Sequence, residues 1–326
     1  MYRQPLRALA TGLALAVLST GGAQAQAPAY PTKPIRLLVG SPPGAPSDIT
    51  ARLFADRLSQ RLGQSVVVEN RPGAGTSLAA GVVAAAEPDG HTLGVSPDTV
   101  VTVNPLVYPK LSFDARKDLM NLSVLASFTQ MLVCHPKTGV KTAAELVARA
   151  KASRMIYASG GAGVPGHLAA EMFLQNTGAR MEHIAYRGPA PATTAVLAGE
   201  VDCGFLATPT VLPHVTAGKL VALAVSSAEP SALAPDVPTL AKALNDPKLD
   251  ISFRLLLQAP ANLPPPIAAA LEQAAGAIMT APDVRTRLQA LDLRGVGSNR
   301  QAAEAQVKAD TARWEPVVKQ LNLSLD

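Results

Sequence analysis

Residues 155–174, MIYASGGAGVPGHLAAEMFL, place a strand, a glycine-rich turn and a helix in immediate succession. Met155–Ser159 is strand-like, Gly160–Gly166 is the turn, and the helix starts near His167 and runs to about Gly178. A turn that feeds straight into a helix leaves backbone N–H groups free at the helix N-terminus, where an anion is favoured. The chain has an earlier stretch of the same build. Ile35–Gly40 is strand-like, Ser41–Ser47 is a Pro/Gly/Ser turn, and Asp48–Leu62 has apolar residues at helical spacing (Ile49, Leu53, Phe54, Leu58, Leu62). Two such turns facing each other across a cleft would hold a small anion between them.

Working outward, each turn opens a β-α-β-α-β series, the pattern of a sheet covered by helices on both faces. In the first series Ser65–Glu69 is the second strand, NRPGAG the turn after it, Thr76–Ala86 a small-residue helix and Thr92–Ser96 the third strand. In the second series Met181–Tyr186, the turn RGPAP, a small-residue helix to Gly199 and Val201–Leu206 hold the equivalent places. Asp48 or Ser47 reads as an N-cap, and Ser298-x-x-Gln301 reads as the capping box of a last helix that Pro316 should kink. Strand-like crossings near 128–135 and 251–258 would join the halves. The first lobe is then 27–127 plus 254–326, the second is 128–253, and two crossings make a hinge.

The N-terminus reads as an export signal. Arg3 and Arg7 precede the apolar run Ala8–Leu18, and Ala23-Gln24-Ala25 is a cleavage signal, so residues 1–25 are expected to be removed. The uncleaved reading is an N-terminal anchor. Losing two arginines takes the net charge from +5 to +3 and leaves 301 of 326 residues, enough for two lobes. Basic residues are scattered and aromatics few, which argues against a nucleic-acid groove. Cys134 and Cys203 leave two buried thiols and one bridge both open. No C-x-x-C, H-E-x-x-H or G-x-S-x-G occurs, so no dithiol, zincin or nucleophile-elbow site is indicated.

Nine segments (SPPGAPSDI, VVVENRPGAG, PDGHTL, NPLVYPKLSFD, YASGGAGVPGHLA, IAYRGPAPA, LAGEVD, LPHVTAGKLVALAVSS and APDVPTL) resemble, in order and spacing, the Bug-type receptors. These are the extracytoplasmic substrate-binding proteins of tripartite tricarboxylate transporters. The resemblance implies an α/β, two-lobed periplasmic binding protein of the Venus-flytrap, type II-like kind, with two crossover strands and no catalysis, cofactor or metal. It implies a small carboxylate held between Pro42–Asp48 and Ser159–His167, with Ser96–Thr99 and Ala207–Thr210 as side walls. The site residues carried over are Pro43, Gly44, Ala45, Ser47, Asp48, Ser96, Asp98, Thr99, Ser159, Gly160, Gly161, Ala162, Gly163, Val164, His167, Ala207 and Thr208. The expected partners of this periplasmic monomer are the membrane permease subunits of such a transporter, or a sensor kinase ectodomain.

The chain departs from the family pattern at Gly44-Ala45, at Ala162, Val164 and Pro165, and at Ala207, where the family has Gly-Gly, small polar residues and a polar or acidic side chain. Pro165 also removes a donor. These changes lead us to expect a drier pocket and a ligand with one carboxylate on a mostly apolar, even aromatic, body. Two sharper readings of the same residues are set aside. Gly161-x-Gly163-x-x-Gly166, with Glu182 about 20 residues on, matches a dinucleotide fingerprint, but Pro165 stiffens the turn and an exported chain rarely meets a dinucleotide. Gly166 then serves close packing. Asp48 as an acid catalyst lacks a paired carboxylate.

Overall fold

The computed structural model describes residue 1 and residues 30–321 and 324–325. The expected export segment falls mainly outside the described residues. Residues from Pro31 onward form one unit, in which two sheets are built to the same plan.

The first half runs β1 (Ile35–Val39), α1 (Pro46–Leu62), β2 (Val66–Asn70), α2 (Ser77–Ala84), β3 (Thr92–Pro97), α3 (Thr99–Thr102), α4 (Asn104–Val107) and β4 (Leu119–Phe128). The second runs β5 (Gln130–Cys134), α5 (Ala143–Ala152), β6 (Ile156–Ser159), α6 (Pro165–Thr177), β7 (Glu182–Ala185), α7 (Pro189–Ala198), β8 (Cys203–Ala207), α8 (Thr208–Thr216), β9 (Val221–Val225) and α9 (Leu240–Leu244). The chain then returns through β10 (Phe253–Pro260), α10 (Pro265–Thr280), α11 (Pro282–Gln289), β11 (Leu293–Gly295) and α12 (Arg300–Leu321).

The first sheet has the order β11-β4-β10-β3-β1-β2 and the second β7-β6-β8-β5-β9. In each, the opening strand lies parallel between the second and third (β2-β1-β3; β7-β6-β8), and an antiparallel strand follows the third (β10; β5). That antiparallel strand is in both cases the one the chain forms on arriving from the other sheet. The burial pattern follows from position. Central strands β1, β5 and β8 are apolar on both faces and buried, whereas the edge strands β2 and β7 stay partly open and carry Glu69 and Glu182. Cys134 and Cys203 are register partners on β5 and β8, and they form a disulfide.

The passages between sheets are short at one point and long at the other: Thr129 links β4 to β5, and 226–252 link β9 to β10. They meet at one serine. Ser226 Oγ contacts Thr129 Oγ1 at 2.8 Å, accepts from Gln130 N at 3.0 Å and donates to Ile251 O at 2.7 Å. Backbone bonds Ser226 N to Gln130 O and Ile251 N to Ser226 O complete the join.

Several local expectations are corrected. α1 begins at Pro46, and its N-cap is Ala45, not Asp48 or Ser47. α6 begins at Pro165 rather than His167. Residues 74–76 form a separate 3-10 turn ahead of α2. The cap of α12 is Asn299, whose Oδ1 accepts from Ala302 N, because Ser298 Oγ is already engaged by Val124 N. As expected, Pro316 falls inside this last helix.

Gly166 packs α6 onto β8 so closely that a Cβ there would lie 2.3 Å from the Phe205 carbonyl oxygen. The obstacle is backbone and cannot rotate away. Gly166→Ala is therefore expected to cost about 1–3 kcal/mol, as overpacking does. Urea unfolding checks this, and an unchanged midpoint would contradict the close packing.

Candidate functional site

Between the two sheets lies a cleft of about 540 Å³, within the range of small-molecule sites. Its walls are the turns after β1 and β6, the turns after β2 and β7, the ends of β3 and β8, and strand residues flanking the passages (Phe128, Gln130, Leu255).

The two turns that open α1 and α6 have one construction. Gly44 and Gly163 are left-handed at φ 82° and 72°. Ala45 and Val164 follow as extended N-caps with no side-chain hydrogen bond, and Pro46 and Pro165 occupy the first helical position. The third helical residue then reaches back: Asp48 Oδ2 accepts from Gly44 N at 2.9 Å, and His167 Nδ1 accepts from Gly163 N at 3.0 Å. Among the described residues no acceptor meets the N–H groups of Ser47 and Asp48, or those of Gly166 and His167. Both helices thus point unpaired donors and the positive ends of their dipoles toward the cleft.

The turns are braced from behind. Burial works against the Asp48 charge. The Arg52 guanidinium, Gly44 N–H and Asn70 amide outweigh it, so its carboxyl titrates below the usual range. Behind the second turn Tyr157, His183 and His167 stack at centroid distances of 4.8 and 4.1 Å. Burial pushes His167 down to about 3, helped by His183, and burial pushes His183 down to about 4. A neutral His167 is what the geometry requires, since Nδ1 is an acceptor. Tyr157 donates to Glu171 at 2.7 Å, and Glu171 lies 3.7 Å from His167 Nε2. Ser159 Oγ donates to Gly161 O at 2.8 Å and meets His183 Nε2 at 2.7 Å. With its proton committed to a carbonyl and no exposed surface, this serine is a brace.

The sequence-derived site residues therefore divide. Ala45, Ser47, Gly160, Gly161, Ala162, Val164 and Ala207 line the cleft. Asp48, Ser159, Gly163 and His167 are buried behind the turns they shape, and Pro43 and Gly44 lie on the outer side. Ser96 bonds Gln258, and Thr208, the first residue of α8, is fully buried. Asp98 and Thr99 are buried away from the lining. Asp98 faces Arg254 at 3.8 Å, and Arg254 in turn pairs with Asp310 at 2.8 Å. Burial, with Asp310 adding, pushes Asp98 up to about 7.

Other lining residues escaped the sequence reading. Tyr108, after α4, donates to Ala162 O at 3.0 Å and so ties the two walls together. Pro42, which opens the expected turn Pro42–Asp48, lies against Gly188 on the opposite wall. Thr76, Gln130, Phe128, Phe205, Leu206 and Leu255 also line the cleft. Tyr108 stands inside NPLVYPKLSFD, but no periodicity signals a contact to residue 162. Arg187 is the single cationic side chain of the described lining, and it is exposed.

The neutral histidine pair has a pH signature. Unfolded histidine titrates near 6.5, so between about pH 6.5 and 4 the unfolded chain binds protons that the folded chain refuses. Stability falls as pH drops through that window, by up to about 1.4 kcal/mol per pH unit for each histidine. Asp98 acts in the opposite sense, because its raised pKa makes the folded chain the better proton binder between about pH 4 and 7. His167→Asn keeps an acceptor for Gly163 N and deletes one titration. Relative to wild type, its stability should therefore decline less from pH 6.5 to 4.5, by about one histidine's slope. Parallel urea-stability profiles for the two chains would show that His167 is not held neutral.

Residues 50–323 match the model of the tripartite tricarboxylate transporter family receptor. A UPF0065 protein of Bordetella bronchiseptica is 32% identical over 317 residues, covering 97% of this chain and 93% of that one. Among solved structures, Rpa4515 of R. palustris with adipate matches with TM-score 0.86 and 29% identity, over 90% of this chain and 99% of that one. MatC of Rhodopseudomonas palustris with bound malate matches with TM-score 0.82 and 28% identity, over 89% and 100%. With the family model matching residues 50–323 and relatives covered over nearly their full length, this chain belongs to the Bug-type receptors of the tripartite tricarboxylate transporter family.

Proposed function

We propose that this chain is an extracytoplasmic solute receptor that captures one small carboxylate in the cleft and delivers it to the membrane permease subunits of a tripartite tricarboxylate-type transporter. The observation that carries the reading is the pair of like-built turns, each presenting unpaired N–H groups to the same cavity. Dipoles fixed in place receive an anion without the cost of burying a counter-cation. The relatives with adipate and malate are dicarboxylate complexes. Here the walls favour a ligand with one carboxylate on a mostly apolar or aromatic body. Ala162, Val164, Ala207, Phe128, Phe205 and Leu255 supply apolar surface, and among the described residues the only lining cation, Arg187, is exposed.

The carboxylate sits between Ala45–Ser47 and Gly160–Val164. Closure swings a lobe of 27–127 plus 254–326 against one of 128–253, and the Tyr108–Ala162 and Pro42–Gly188 contacts belong to the closed state. Removal of residues 1–25 on export would release the mature receptor into the periplasm as a monomer. No catalytic step is assigned to the cleft.

A thermal-shift screen of residues 26–326 against benzoate, adipate, malate and citrate tests this. A ligand at 100 times its Kd adds about 2.7 kcal/mol, a plain rise in Tm. Benzoate-class acids are expected to give the largest shift. Citrate shifting strongly while benzoate does nothing would discard the apolar-ligand reading and keep the receptor. No shift with any acid, on protein shown ligand-free by native mass spectrometry, would discard the receptor.

A further inference from the structure

Most polar side chains of the cleft are already engaged or stand in solvent. Ser41 and Ser47 bond each other, Tyr108 donates to Ala162 O, Tyr186 is half-buried and Arg187 is exposed. Two buried ones remain, and they stand on different walls.

Thr76 is 6% exposed, lines the cleft, and its hydroxyl has no partner. Its backbone is also unusual. Ala74, Gly75 and Thr76 are consecutively left-handed, at φ 45°, 56° and 76°. That region is unfavourable for a β-branched residue, and such strain persists only where the surroundings impose it. They do so here. Asn104 Nδ2 donates to Gly75 O at 2.9 Å and to Ser77 Oγ at 2.7 Å. Behind Thr76 lies Gly40 at the end of β1, so close that a Cβ there would sit 2.5 Å from the Thr76 carbonyl oxygen. The turn is thus held against the first anion-facing turn, with its hydroxyl unused.

Gln130 is the first residue of β5, 4% exposed, and its backbone is fixed by Ser226 on both sides. Its side-chain amide makes no hydrogen bond among the described residues, and it opens onto the cleft. Gln130 Oε1 lies 3.4 Å from where a Cβ on Gly166 would stand, beside the N-terminus of α6.

We propose that Thr76 and Gln130 are the specificity-determining side chains of the cleft, each hydrogen-bonding the bound carboxylate ligand, one from the first wall and one from the passage beside α6. The inference rests on the receptor reading above. A buried hydroxyl left without a partner is a standing cost that a ligand's oxygen removes, and an unpaired amide opening onto the cleft is placed to bond a second oxygen. Both groups are neutral, so they satisfy oxygens without supplying the positive charge that a second buried carboxylate requires. The class selected is a carboxylate that buries a single charge.

The test uses calorimetry on wild type, T76V, T76S and Q130L with benzoate, adipate and malate as probes. Valine keeps the branched shape and removes the hydroxyl. T76V and Q130L are expected to weaken the best-bound probe by about tenfold or more, and T76S to stay within about threefold of wild type. Q130L changes no left-handed residue, so it decides the question should T76V fail to fold. Wild-type binding that T76V and Q130L leave within about twofold overturns this inference and leaves the receptor standing. Wild type that is ligand-free by native mass spectrometry and binds none of the three, nor citrate, overturns the receptor reading and this inference with it.

Discussion

The backbone N–H groups at the start of α1 and α6 have no acceptor within the described fold. That shortage organises much of what surrounds them. A helix end buried without partners is unfavourable, and the usual remedy is a Ser, Thr, Asp or Asn cap. α5 and α9 use it, through Thr142 and Thr239. α1 and α6 do not. Their N-caps are Ala45 and Val164, which leave the donors open. The polar side chain is displaced to the third helical position, where Asp48 and His167 satisfy the preceding glycine instead. The turn is thereby made rigid without using the groups that face the cleft. Holding His167 neutral in the Tyr157–His183–His167 stack is part of the same arrangement, because an imidazolium could not accept from Gly163.

Electrostatics then separates the interior of the cleft from its surface. Charged side chains near the turns are turned backward or outward: Asp48 toward Arg52, Glu171 toward Tyr157, Arg187 toward solvent. The lining keeps dipoles and apolar surface. A full charge buried there would need a partner of its own, whereas a helix end offers roughly half a charge already fixed in the fold. The cleft suits an anion while burying no lining cation among the described residues.

Much of this order was written in short-range pattern. Apolar runs bounded by Pro/Gly turns marked β1, β2, β3, β6, β7 and β8, and the repeated strand–turn–helix order marked both anion-facing turns. What escaped depended on distance along the chain. Tyr108 reaches Ala162 across 54 positions, and the register of β5 with β8 makes a bridge of Cys134 and Cys203. Ser298 looked like a cap and is diverted by Val124, 174 positions away. Asp48 looked like a cap because its residue type suits one, but the proline at position 46 sets the helix start earlier. Asp98 and Thr99 were drawn to the cleft by their place after β3, yet Arg254 of β10 and Asp310 of α12 meet at that corner and seal it. Thr76 gave no signal, since a left-handed threonine is visible only in dihedral angles.

Ser226 has a mechanical meaning beyond its hydrogen bonds. A hinge made of two separate linkers can shear and twist as well as bend, since each linker flexes alone. Here Thr129, Gln130 and Ile251 are fastened to one side chain, so the two linkers behave as a single flexure. In the closure proposed above, opening would be funnelled into one rotational coordinate, and the walls that part would be the same walls that meet again in register. A ligand then spends its binding energy on a single degree of freedom rather than on realigning two loosely coupled bodies.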